Sequence, residues 1–492
     1  MKFSELEYQR PDLDLLKEDF FNQISLIEKA EEAEVALKAT KHIQEIQNTL
    51  GTLSTLVSIR NSINTKDSFY EEETAFWDEH FPIIGEWDTA YYRAVLGSKW
   101  RSELENYLPE TFFPMAENSL KVFSPEIIPL LQQENKLSTE YSKLQASAEI
   151  EFQGQTYNLP GMAKFAQNPD REVRRQASEL VSAFYNEHEA EFDRIYDQLV
   201  KVRDQIAKTL GFKDFVEVGY LRMNRLDYNR QQVEVYRQEI LKHVVPVVNK
   251  LYQRQADRLG LESLKPYDLE YKFKTGNAMP QGTPEEILAA GVKMYHELSP
   301  ETGEFIDFMV DRELLDLVTK PGKASGGYCT YLPDYEAPFI FSNFNGTAAD
   351  VDVLTHEAGH AFQVYESRGY EVPEYLWPSY EACEIHSMSM EFLTWPWMGL
   401  YFENDEDKYK FIHLSEALLF IPYGVTVDEF QHWVYENPEA TPEERRNKWL
   451  ETEKKYLPTR DYGEIDELKE GIFWFRQGHI FGTPFYYIDY TL

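Results

Sequence analysis

The sequence predicts a mainly α-helical fold with a small β-sheet beside its candidate reactive centre. Three observations predict it. Apolar residues recur three or four apart over long stretches, the spacing of one helix face. Capping and stop signals bracket those stretches. Strand-like text is confined to a few short segments. At 492 residues the chain is long enough for two or three domains or lobes.

In order along the chain, residues 12–145 are charged and helix-rich. Leu13, Leu16, Phe20, Ile24 and Ile27 form one apolar stripe, and His42 to Ser58 carries a similar one. Both read as core-facing helix. Glu149 to Leu159, EIEFQGQTYNL, alternates in polarity around Gln153-Gly154-Gln155 and predicts a hairpin at a domain boundary. The chain therefore divides into an N-terminal helical region, 1–148, and a second region, 149–492. Asn168-Pro169 opens and Gly211 closes a pair of long helices, and a further helix is expected from Asn229 to Leu259. Asp268 to Phe273, DLEYKF, alternates like a strand. Thr283 then reads as an N-cap followed by Glu285 and Glu286, which suits the helix dipole. From Lys320 to Thr347 the text turns to strands. KPGKASGGYCTY has glycines that let backbone approach a ligand, and Phe339 to Ser342 is a short aromatic strand.

Composition narrows the function classes. The formal net charge is −36, from 85 acidic and 49 basic side chains, which repels nucleic acid and anionic membrane faces. No stretch of about 18 uncharged apolar residues predicts a membrane span. The N-terminus has no apolar region of the secretory kind. Cys329 and Cys383 are the only cysteines, which suits a reducing, cytoplasmic setting. The two read as small buried residues rather than a redox pair.

The chemistry concentrates in Asp350 to Gln363, DVDVLTHEAGHAFQ. His356 and His360 are four apart, so a helix projects both imidazoles from one face and lets them bind one zinc ion. Glu357 then lies beside the metal but outside its ligands, placed to take a proton from the attacking water and return it to the leaving amine. A catalytic zinc needs a third protein ligand and one open position. Gln363 and Glu366 stand where a metzincin would have Gly and His, which excludes that class. The third ligand is expected on a later helix, in SYEACEIHSMSME. Spacing alone does not choose between Glu381 and Glu384, and His386 is a weaker rival. Asp352, one turn before His356, is either a hydrogen-bond acceptor that fixes a ligand histidine's tautomer or an ordinary capping acid. The final segment, GIFWFRQGHIFGTPFYYIDYTL, holds His479, Tyr486, Tyr487 and Tyr490. Their N–H and O–H groups are suitable donors to an oxyanion, although in so tyrosine-rich a chain such a cluster also fits core packing. The histidines at 42, 80, 188, 243, 296, 413 and 432 have no partner at ligand spacing and are assigned nothing.

HEAGH, CEIHSMSME and GHIFGTPFYYIDY, together with KPGKASGGYC and FSNFNGT upstream, resemble the thimet oligopeptidase and oligoendopeptidase F family of zinc peptidases, most of all its bacterial oligoendopeptidase F branch. The likeness is strong over the C-terminal third and general in character over the N-terminal part. It implies two helical lobes around a deep channel, one zinc ion, and short unstructured peptides as substrates. It implies Glu384 as the third ligand. It also implies oxyanion donors at His479, Tyr487 and Tyr490, with Tyr486 as neighbour. Phe339 to Ser342 corresponds to the family's edge strand, which pairs with the substrate backbone. Family members usually continue into further helices after the tyrosine motif, so residues 149–492 are expected to be a catalytic region without them. The function expected is cleavage of internal bonds in oligopeptides. The alternatives are an exopeptidase of carboxypeptidase kind and a peptide-binding protein without turnover. An aminopeptidase is disfavoured because Gly276-Asn277-Ala278-Met279 lacks the glutamate that would hold a free amine.

Overall fold

A computed structural model describes residues 1–492 and is dominated by helices, with two small sheets. No helix is long and apolar enough to cross a membrane.

Asp12 caps the first long helix, Leu13–Lys29, by accepting from the Leu15 amide. Its predicted stripe buries Phe20, Ile24 and Ile27 against helices Ala33–Ile63 and Ser68–Leu96. These three form an N-terminal core. Helix Ala33–Ile63 also reaches a second core, because Leu56 and Ile59 pack with the larger sheet. Helix Ile128–Ala146 contributes Leu137 and Tyr141 to a third core, built on helices Arg171–Glu187 and Glu189–Thr209 and on the C-terminal segment. Helix Ala33–Ile63 thus ties the first two cores together.

The expected hairpin is present: β1 (Ile150–Phe152) pairs antiparallel with β2 (Gln155–Tyr157), and Gln153 and Gly154 take positive φ in the tight turn. The predicted helix from Asn229 to Leu259 is interrupted. Asn229 caps Arg230–Glu239, a π-helical turn occupies Ile240–Val244, and Val245–Leu259 follows. Pro246 lies at the restart, where its missing N–H breaks the α-helical ladder. Thr283 caps Pro284–Leu298 with a capping box to Glu286, as the sequence suggests.

Residues 268–273 do not form a strand. Pro266–Asp268 is a 3₁₀ turn, and side chains replace strand partners. The Gln255 amide donates to the carbonyls of Asp268, Leu269 and Tyr271, and Asn277 accepts from the Lys272 amide. Buried Asp268 receives Arg171 and Arg174 at 2.7 and 3.0 Å. The alternation therefore reports which side chains are buried, not a ladder.

The larger sheet has the order β3-β5-β4, with β3 (Leu315–Val318) parallel and β4 (Tyr328–Leu332) antiparallel to β5 (Ala337–Phe344). The aromatic strand at Phe339–Ser342 is therefore its central strand, and the edge placement expected for it is corrected. Every residue of β5 except Asn343 is buried, which suits a strand flanked on both sides. The open edge nearest the motif helix belongs to β4.

Candidate metal centre

β5 feeds directly into the helix Ala349–Ser367, which carries His356, Glu357 and His360. Asp350 fixes this junction: its carboxylate accepts from the Asn345 and Gly346 amides at 2.9 and 2.8 Å. Val351, Leu354, Ala358 and Ala361 are fully buried on the opposite face. That face holds the helix against the sheet and leaves the two imidazoles on the other side, with ring centroids 5.0 Å apart.

The second helix of the site, Tyr380–Leu393, crosses the first at Gly359. A Cβ there would lie 2.7 Å from Ser387 Cα and 2.9 Å from the His386 carbonyl oxygen. Only glycine permits this approach, which brings Glu384 between the histidines. Glu384 Oε2 is 3.3 Å from His356 Nε2 and 3.7 Å from His360 Nε2. The donor atoms of His356, His360 and Glu384 all lie within 4.8 Å of one another. Glu381 is outside that group, although it lines a pocket that Glu384 and Tyr490 also line. His386 Nε2 instead sits 3.3 Å from His360 Nδ1.

The electrostatics of the cluster call for a cation. Glu357, Glu384 and Glu391 are three carboxylates packed around two imidazoles. Burial alone would lower His356, but hydrogen bonds with Glu384 and Glu391 hold it well above the ordinary imidazole range. Burial and the neighbouring His356 charge push His360 down to about 3. Burial would raise Glu384, yet its bond with His356 keeps it below the usual carboxylate range. Burial pushes Glu357 up to about 7; the His356 charge opposes this, and the Glu384 and Glu391 charges add to it. Glu357 Oε2 is buried and has no hydrogen-bond partner. An orphaned carboxylate oxygen beside a two-histidine, one-glutamate donor set fits a catalytic zinc and a base that stays outside its ligands.

Of the two readings open for Asp352, support of a candidate ligand histidine is not the one found. Asp352 does not meet a ligand histidine; it accepts from Tyr409 Oη at 2.5 Å. Glu391 takes the supporting place. Its Oε1 accepts from His356 Nδ1 at 2.7 Å, and its Oε2 accepts from His413 Nε2 at 2.6 Å. Trp395 Nε1 donates to His413 Nδ1 at 3.1 Å, so His413 carries its proton on the nitrogen facing Glu391. Neither Glu391 nor His413 was assigned from sequence. The available signal was Glu391 lying seven residues, two helical turns, after Glu384.

The C-terminal segment closes one side. Tyr486 Oη donates to Glu384 Oε1. Tyr490 Oη lies 3.2 Å from His479 Nε2, and its ring centroid is 6.5 Å from that of His356. Tyr487 packs among Phe420, Tyr423, His479 and Tyr490. Burial lowers His479 to about 4, so it is neutral near pH 7 and able to donate one N–H. Opposite, Gly327 keeps the approach to Glu357 clear: a Cβ there would come within 3.3 Å of Glu357 Oε1. Cys329 and Cys383 are unpaired, and burial raises both thiols, Cys383 to about 12, which makes them inert.

Known proteins align with this arrangement over its whole length. The profile of the peptidase M3 N-terminal domain matches residues 3–123, and that of peptidase family M3 matches residues 164–492. An oligoendopeptidase F homolog of Borreliella burgdorferi is 25% identical over 392 residues, covering 74% of this chain and 63% of that protein. The chromosomal oligoendopeptidase F of Lactococcus lactis subsp. cremoris is 23% identical, covering 62% of this chain and 48% of that protein. The chain thus spans less than two thirds of the length of these curated relatives. A solved structure of PZ peptidase A with an inhibitor superposes with a TM-score of 0.99 at 55% identity, covering all of this chain and 87% of that one.

Proposed function

The chain belongs to peptidase family M3, and from that premise we propose that it is a zinc-dependent endopeptidase cleaving internal bonds of short unstructured peptides. The observation that carries the proposal is the convergence of His356, His360 and Glu384 beside a Glu357 oxygen that has no partner.

His356, His360 and Glu384 would hold one zinc ion, which when bound polarises the scissile carbonyl and makes water a better acid. Glu357 takes the proton of the attacking water at its orphan Oε2 and returns it to the leaving amine. Its burial, which favours the protonated form, suits both halves of that transfer. Glu391 holds His356 in the tautomer that turns Nε2 to the metal. Tyr490, Tyr487 and His479, with Tyr486 beside them, donate to the oxygen that becomes negative as the carbonyl turns tetrahedral. In the resting geometry Tyr486 donates to Glu384, and His479, whose Nδ1 receives Gln477 Nε2, turns its one N–H to Tyr490 Oη, so substrate must exchange those bonds for its own. The open edge of β4, preceded by Gly326 and Gly327, is suited to pair with an extended peptide backbone beside Glu357.

The test is digestion of a ten-residue peptide with and without a chelator, with products mapped by mass. Internal cleavage that stops with chelator and returns with zinc is the expected result. Cleavage confined to a terminal residue, or cleavage indifferent to chelator, contradicts the proposal.

A further inference from the structure

The tyrosine-bearing turn is gripped from behind by a buried charge that plays no part in the chemistry proposed above. Arg225 lies just after helix Phe215–Arg222, and Asp489 lies between Tyr487 and Tyr490. Both side chains are wholly shielded from solvent. Arg225 Nη2 donates to Asp489 Oδ1 at 3.0 Å and also to the Phe485 carbonyl, so one guanidinium holds both ends of the turn carrying Tyr486 and Tyr487. Tyr228 Oη donates to the same carboxylate oxygen at 3.2 Å. The Arg225 guanidinium also lies over the Tyr220 ring, 4.4 Å from its centroid.

The grip holds a turn that would not keep this shape unaided. Phe485 has φ +71°, a left-handed conformation costly for a bulky residue. Its amide donates to Gln431 Oε1 at 3.0 Å, and its ring fills the space beside Gly219, where a Cβ would come within 2.4 Å. A buried ion pair is generally no more stabilising than apolar residues of equal volume, and here it leaves Arg225 Nε, Arg225 Nη1 and Asp489 Oδ2 without partners. Its distinctive property is direction: one guanidinium nitrogen, Nη2, fixes a carbonyl and a carboxylate at once.

We propose that Arg225 and Asp489 are positioning residues, which set the tyrosine turn where its phenols meet the developing oxyanion. This rests on the peptidase reading for its kinetic consequence, though not for its structural one. Misplacement of a donor by about an ångström costs on the order of a hundredfold in rate, whereas ground-state binding through the β4 edge is untouched.

The test uses the full chain and three variants, Arg225→Met, Arg225→Lys and Asp489→Asn. Hydrogen exchange is followed over residues 482–490, and kcat and KM are measured separately on a quenched peptide. Arg225→Met should raise exchange in that segment by about tenfold or more while the helices carrying His356 and Glu384 keep their protection. Its kcat should fall about tenfold to a hundredfold, with KM changed less than about threefold and metal content per chain unchanged. Arg225→Lys, which keeps the charge and one donor nitrogen but not the planar guanidinium, should recover part of kcat. Asp489→Asn, nearly isosteric, decides the matter if Arg225→Met fails to fold, and should show the same split at smaller amplitude. Unchanged exchange in 482–490, or equal losses in kcat and metal content, overturns the proposal. A wild-type chain with no peptide cleavage removes the peptidase reading, and the exchange result then decides the clamp by itself.

Discussion

Glu391 holds two imidazoles at once, one through each oxygen. In Glu391→Gln one acceptor becomes an N–H donor, so His356 and His413 can no longer both be satisfied. Metal affinity should fall about tenfold to a hundredfold with the fold intact, read by competition with a chromophoric chelator. His413→Gln should act in the same direction and more weakly; unchanged affinity in both variants contradicts this account of Glu391. The pairing of His356 with His360 on one helix face, with Glu357 beside them, was legible in sequence because a four-residue helical spacing is a local property. Glu391 and His413 were not, since their meeting is decided by how two helices pack. Asp352 shows the same limit from the other side. It has the right sequence position to support His356, but Tyr409 is nearer and claims it.

Helix crossing decides whether the ligands meet at all, and Gly359 sets the crossing. In an isolated helix Gly→Ala is favourable by about 1 kcal/mol. Here the added Cβ would meet backbone atoms of the partner helix at 2.7 and 2.9 Å, and backbone cannot swing aside. Overpacking of this kind costs about 1–3 kcal/mol, so the sign reverses. Gly359→Ala should lower the melting temperature and weaken metal binding together, because Glu384 is displaced with its helix. A stabilised variant with normal metal affinity would show that the crossing is slack. The HEAGH glycine was visible in sequence, but its purpose was not, since the contact is with residues nearly thirty positions away. The same applies to β5. Its aromatic run marks a strand, yet nothing local says that β3 and β4 cover both its edges. The DLEYKF segment shows the converse error, in which alternation without a partner strand was packing alone.

Across the whole molecule the helical character was readable from periodicity and caps, whereas the polar ties that hold the helices of the third core together were not. One such tie is Glu134, where Arg203 from helix Glu189–Thr209 and Arg222 converge on one nearly buried carboxylate, at 2.6 and 3.0 Å. Arg203 also donates to Tyr435 Oη and to the Phe481 carbonyl, reaching the C-terminal segment. Burial alone would raise Glu134, but the Arg222 and Arg203 charges outweigh it and bring it down to about 2, from an ordinary 4.5. A depressed carboxylate contributes stability that is present above the unfolded value, near pH 4.5, and is lost as pH falls towards 2. The contribution is about 3 kcal/mol at neutral pH, a large share of the net stability of most proteins. Glu134→Gln should therefore destabilise by about 3–5 kcal/mol at pH 7, since it strands two guanidinium groups, and the gap to wild type should narrow below pH 4. Denaturant midpoints across pH 2 to 7 check this. A gap independent of pH would mean that the charge contributes nothing.

In the mechanism proposed, Glu357 moves the proton while His356, His360 and Glu384 hold the metal. Its most direct test is Glu357→Gln, with bound zinc per chain and kcat on a quenched internal peptide measured on the same sample. Bound zinc should be undiminished and kcat lowered on the order of 10²–10⁴-fold. Undiminished zinc with undiminished turnover would contradict it, because the proton would then be moving through some other group.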